Sequence, residues 1–333
     1  MKTLSLEITN PEPILKDLER LFAIESDSEF YYLSKPAQDD YENPLNLTSH
    51  KNAFGMEEYL LPEVIHLLGI RSMTVNKSFD LGRLNELSIS MLESDLSKRD
   101  FLEIEPFVLE LKLLFAQSRT IAFDDWSGFT AAASLWPALL ENVIEGVANP
   151  QLEFIFYLGD PERKSTFQVD EVLHLLSRFS QKGAVTLAVD EREAINLWRV
   201  LNAVDEKIAI GIQTIHELKR KYFSLFKSMD ITRLLVYSTS DAMVFSAEEQ
   251  FVLIRKVADS QVELGTNARQ NFVSGLSSGM SLGHGVPHSI ALGLVVFGSS
   301  GQYSSRPALS TIQQYISGWI ADLEKPDTIF LYQ

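Results

Sequence analysis

The chain has 333 residues, 45% of them apolar, a formal net charge of -16 and no cysteine. That size and apolar share suffice for one large domain or two modest ones, and the missing cysteine excludes disulfides and thiolate metal sites. Nucleic-acid binding needs a positive surface that releases counterions, whereas the longest basic run here is Lys219-Arg220-Lys221. No apolar run nears the roughly 20 residues of a membrane-spanning helix, and the opening MKTLSLEITNPEP lacks the apolar core of a secretory signal. The expectation is a cytoplasmic protein with neither nucleic acid nor membrane as partner.

Residues before about 105 give little periodicity. Phe30 to Leu33 reads as a strand and the segment AQDDYENPLNLTSHKNAFG as loop, rich in turn residues. Met56 to Leu68 reads as a helix closed by Gly69, and Ile70 to Val75 as a strand. From Thr120 the pattern sharpens. Thr120 to Phe123 is a short strand ending in Asp124-Asp125-Trp126. A helix follows from about Phe129 to Val147, with Leu135, Leu139, Leu140, Val143 and Ile144 on one face. Phe154 to Leu158 is a strand running into Gly159-Asp160-Pro161, Thr166 to Phe179 a helix, Ala184 to Val189 a strand, and Glu191 to Leu201 a helix. Ile212 to Phe226 is another amphipathic helix.

Three short strands come next, at Leu234–Tyr237, Met243–Phe245 and Phe251–Ile254, read as an antiparallel edge. Three helices close the chain, at about Gln270–Met280, Pro287–Phe297 and Pro307–Leu323. Strands alternating with helices imply parallel βαβ units with both faces covered. In such α/β folds a ligand sits beyond the carboxyl ends of the strands, where Asp160 and Asp190 fall.

The succession Gly159-Asp160-Pro161, Asp190-Glu191-Arg192-Glu193-Ala194, an antiparallel pair and then Asn271-Phe272-Val273-Ser274-Gly275-Leu276 resembles the ribokinase-like, PfkB-type carbohydrate kinases. The likeness runs from about 120 to 323 and rests on several motifs in order. It implies one ribokinase-like domain over 1–333: a three-layer α/β/α fold with a central, mostly parallel sheet. Residues before about 110 diverge; the resemblance places there a small lid that in the family also mediates homodimers. The family's substrate-binding Gly-Gly-Asn is matched only at Gly55.

What the resemblance implies for chemistry is mixed. Its Asn-x-x-Glu motif, which orders magnesium-bound water and phosphate, maps onto Asp190 and Glu193; the same spacing also reads as a helix capping box. Its Gly-Ala-Gly-Asp turn, an anion hole at a helix N-terminus with a catalytic base, maps onto Asn267, Ala268, Arg269 and Gln270. Both glycines and the Asp are replaced. A glutamine amide has no basic site of useful pKa, and losing a positioned base lowers a rate by about 10²–10⁴-fold. Arg269 either grips a phosphate through its planar fork or fills the site; the turn also reads as an ordinary helix start.

Asp125 and Asp160 map to substrate-facing strand tips, with Arg163 and Lys164 as phosphate contacts, although each also reads as plain loop chemistry. Glu263 and Asp241, the latter read in a turn, are solvated surface. His284 and His288 are four apart, but Pro287 between them points to a helix start rather than a zinc site. Gly298 to Tyr303 resembles a small-residue loop near the family's adenine site, and on its own reads as a flexible turn. The functional expectation is a sugar-kinase-like protein with weakened or lost phosphoryl transfer. Mg-ATP is the implied cofactor, with no intrinsic metal, and a sugar-like molecule the implied substrate. The alternative is a non-catalytic pseudokinase that binds a small molecule or a protein.

Overall fold

The fold is that of a computed structural model, which describes residues 7–24, 108–109, 112–113, 115–116, 120–123, 126–127, 132–204, 215–238, 241–255, 268–281, 283–303 and 309–324. Among the described residues seven strands form one sheet: β1 (Glu7–Thr9), β2 (Thr120–Phe123), β3 (Glu153–Phe156), β4 (Ala184–Asp190), β5 (Arg233–Tyr237), β6 (Asp241–Ser246) and β7 (Gln250–Ile254), in the order β1-β7-β6-β5-β4-β3-β2. Pairs β2/β3, β3/β4 and β4/β5 are parallel, and β5/β6 is antiparallel. The helices given in full by the described residues are α1 (Pro11–Ile24), α2 (Ala132–Asn142), α3 (Thr166–Ser180), α4 (Glu191–Asn202), α5 (Ile215–Ser228), α6 (Ala268–Ser281), α7 (Val286–Tyr303) and α8 (Leu309–Glu324). This is the expected α/β/α class with a mostly parallel central sheet. The chain divides into two compact units, 1–7 with 79–238 and 242–251, and 8–78 with 239–241 and 252–333.

In the first unit, β3 is apolar on both sides: Phe154, Ile155 and Phe156 are all fully buried. A parallel strand covered on both faces needs such an unbroken apolar run. Phe123 stacks on Phe156, ring centres 4.6 Å apart, and Trp136 and Phe179 meet Phe123 edge-on at 5.3 and 5.1 Å. Offset and edge-on contacts of this kind add stabilisation beyond area burial. Helix α3 begins with a complete Ser165–Gln168 capping box and turns Val169, Val172, Leu176 and Phe179 into this core. It ends before Gly183, where a β-carbon would stand 2.3 Å from the Leu152 carbonyl oxygen. Only glycine permits that approach, which brings the Ala184 N–H to within 3.1 Å of the same oxygen at the start of β4.

Helix α2 is shorter than the periodicity predicts. It stops at Asn142 and tightens into a 3₁₀ turn over Ile144–Gly146. The Asn142 amide donates to the Ala138 carbonyl at 2.9 Å, a local bond that competes with the helix ladder near its end.

In the second unit α6 and α7 pack closely. A β-carbon at Gly275 would lie 2.6 Å from the Leu292 carbonyl, so their backbones touch with no side chain between. Helix α7 runs on through Gly298–Tyr303, correcting the flexible turn expected there. Gly298 serves packing instead: a β-carbon there would overlap the Tyr315 hydroxyl of α8. Helix α1, not anticipated, lays Ile14, Leu15 and Leu18 into the same core. It is tied to α8 by Ser317, which donates to Glu19 at 2.7 Å, and to α7 by His288 and Asp17 at 3.5 Å.

The β5–β6–β7 group is not the sheet's edge. Strand β1 continues the order beyond β7, so that β1 and β2 are the outermost strands among the described residues. Asp241 opens β6 rather than sitting in the turn before it. The expected elements at 30–33, 56–68 and 70–75, and Glu263, lie outside the described residues.

Candidate functional site

The parallel registers place the C-terminal ends of β3 and β4 side by side, with Phe156 opposite Leu187. Asp160 caps a 3₁₀ turn over Pro161–Arg163 and accepts from the Glu162 N–H at 3.1 Å. Gly159 precedes it with a φ of 71°, the left-handed region in which glycine alone is unstrained. Asp190 ends β4 and caps α4. Its carboxylate accepts from the Glu193 N–H at 2.7 Å, and Glu193 accepts from the Asp190 N–H at 3.0 Å. The capping box is therefore formed in full, and it holds two carboxylates at the positive end of a helix dipole.

One turn further along α4, Asn196 joins the two tips. It is 6% exposed, and its amide donates to Asp160 at 3.2 Å while its oxygen accepts from Arg199 at 3.3 Å. Arg199 is also ion-paired with Glu162. The chain Glu162–Arg199–Asn196–Asp160 thus fastens the loop after β3 to the helix after β4. The amphipathic pattern of α4 marks Asn196 as facing inward, which is the signal that would have singled it out. Beside Asp160, the Lys164 ammonium sits 5.5 Å from the centre of the Trp126 ring, and Ser127 donates its N–H to the Leu158 carbonyl at 2.8 Å. The turn after β2 is thereby held against the turn after β3.

Glu193 is 7% exposed and caps its own helix, and among the described residues no group of three His, Asp or Glu side chains is placed to hold a metal ion. Asp190, Glu193 and Asp160 are brought together at adjoining strand ends. Ala268, Arg269 and Gln270 form the first turn of α6, just before the buried Asn271 and Phe272. Gly55, Asp125 and Asn267 lie outside the described residues. His284 falls in the loop before α7 and His288 in its first turn, as expected. Their rings face each other at 6.4 Å. Burial, and next the neighbouring His288, lower the pKa of His284.

No family model and no curated protein matches the chain. Among solved structures it is similar to a putative sugar kinase from Clostridium perfringens, at 17% identity over 64% of this chain and 58% of that one, with a TM-score of 0.43. An adenosine kinase from Sinorhizobium meliloti matches at 17% identity over 62% and 56%, with a TM-score of 0.43. A ribokinase from Thermotoga maritima matches at 12% over 63% and 59%, with a TM-score of 0.40. The match covers less than two thirds of each of these proteins. At these scores the likeness assigns neither a family nor an activity to this chain.

Proposed function

We propose that the chain is a ribokinase-like protein that has lost or weakened phosphoryl transfer to a sugar-like hydroxyl substrate. One observation carries this reading. Acidic tips on adjoining parallel strands are followed, in chain order, by an antiparallel pair and by a helix whose first turn holds Gln270 where a base is required. The ordering matches the motif succession of the carbohydrate kinases, and the glutamine explains the loss. In the retained reaction, the sugar hydroxyl would need its proton taken as it attacks a phosphoryl group, and an amide does not accept it. Mg-ATP would supply the phosphoryl group; the chain's own contribution is the backbone donors of helix starts.

A second reading has its own observation. Asp190 and Glu193 hold each other's backbone N–H groups, so both carboxylates already have a structural role. This favours a non-catalytic module that binds a small molecule or a protein, a homodimer being one form of it.

Isothermal titration with Mg-ATP and a coupled assay across sugars and nucleosides separate the two. Heat of binding without turnover is the expected result. If only the α6 turn has decayed, Arg269→Gly combined with Gln270→Asp restores measurable turnover. A folded protein silent to Mg-ATP in both assays would sink the kinase-derived reading and leave the interaction module.

A further inference from the structure

Arg255, the residue after β7, is 5% exposed. Its guanidinium lies over the Tyr315 ring, 4.9 Å from the centre. The Nη1 group of this side chain is buried and has no hydrogen-bond partner. One turn along α8 from Tyr315 stands Trp319, 3% exposed and edge-on to the same ring at 6.4 Å. Its indole N–H is likewise buried without an acceptor. Two donors, one of them on a charged side chain, therefore flank a single tyrosine, and neither of the two N–H groups meets an acceptor.

Burial works against the charge of Arg255, while Tyr315 and then Asp322 favour it. An arginine does not shed its proton inside a protein, so the charge stays and its unmet N–H stays costly. An oxyanion accepts from such a donor and balances the guanidinium charge, whereas a water molecule accepts but leaves the charge unmet. The guanidinium fork matches the planar spacing of carboxylate and phosphate oxygens, and the indole N–H meets a further lone pair.

We propose that Arg255 and Trp319 form an oxyanion-binding site beside Tyr315 that takes the carboxylate or phosphate group of a small ligand. The site is independent of the kinase-derived reading. Its test is the Trp319 indole N–H signal in the NMR spectrum of the full chain, identified by its loss in Trp319→Phe. Inorganic phosphate and acetate are titrated separately against chloride at constant ionic strength, so that the two arms tell which group is preferred.

A saturable shift with one of them is expected, and Arg255→Met should raise its midpoint by at least about tenfold, the equivalent of one charge-assisted hydrogen bond. Should that variant not fold, Arg255→Lys keeps the charge but loses the fork, and is expected to weaken binding several-fold. No saturable shift with either anion, or a midpoint unchanged by both arginine variants, overturns the proposal. The Mg-ATP titration is repeated on Arg255→Met, so that heat arising at this site is told apart from the binding that the kinase-derived reading expects.

Discussion

At the scale of single residues, the strand tips are held by side chains that satisfy backbone groups. Asp190 meets one of the N–H groups left orphaned at the start of α4, and Glu193 closes the loop from the other side. Asp190→Ala is expected to lower stability by about 1 kcal/mol, the usual worth of an N-cap, read as a shifted urea midpoint at unchanged slope. Asn196→Ala should cost more, about 1–3 kcal/mol, because it removes two hydrogen bonds to charged partners from a buried position. If Asn196 only filled space, Asn196→Leu would recover that loss; a role in fastening Asp160 predicts that it does not. Both carboxylates were visible in the sequence as a three-residue spacing. Their division between capping and ligand binding was not, because spacing carries no information on which atoms are already engaged. Asn196 could be read as inward-facing from its spacing to Leu197, but not as a fastener, because its partner Asp160 comes from another part of the chain.

At the scale of elements, periodicity located those that bury a continuous face. Strand β3 and helices α3 and α4 fall within a residue or two of their expected bounds. It failed where local composition and packing disagree. The stretch Gly298–Tyr303 is poor in helix formers, since glycine is among the weakest, yet it belongs to α7 because Tyr315 occupies the space that a side chain at Gly298 would take. Gly298→Ala should improve intrinsic helix propensity and still destabilise, by about 1–3 kcal/mol through overpacking. A thermal melt decides the sign, and a raised melting temperature would contradict the close α7–α8 contact. Helix α1 carried a legible signal that was passed over. Asn10 accepts from the Glu12 N–H at 3.1 Å, and Pro11 stands at the first helical position, where its missing N–H does no harm.

At the scale of the whole molecule, stability should depend on pH through His284. Its folded pKa is lowered, by burial first and by His288 second, so the folded protein holds it neutral where the unfolded chain begins to take up a proton. The stability it contributes is complete above its ordinary value of about 6.5 and is lost as pH falls from there toward the folded value. Urea midpoints measured from pH 7.5 down to 5 should therefore fall more steeply in the wild type than in His284→Gln; equal slopes would remove His284 from the account. By itself the amino-acid order determined the class of fold. Alternating apolar strands and amphipathic helices leave few ways to bury both faces of a parallel sheet, and the order of the acidic tips and of the glutamine that replaces a base is likewise written in the chain. The tertiary structure alone decided the rest: that β1 extends the sheet beyond β7, that Asn196 bolts one strand end to the next, and that Arg255 and Trp319 share a tyrosine. Each of these brings together groups tens or hundreds of residues apart, and neither local propensity nor periodicity reports such pairings, because both are sums over neighbours in sequence.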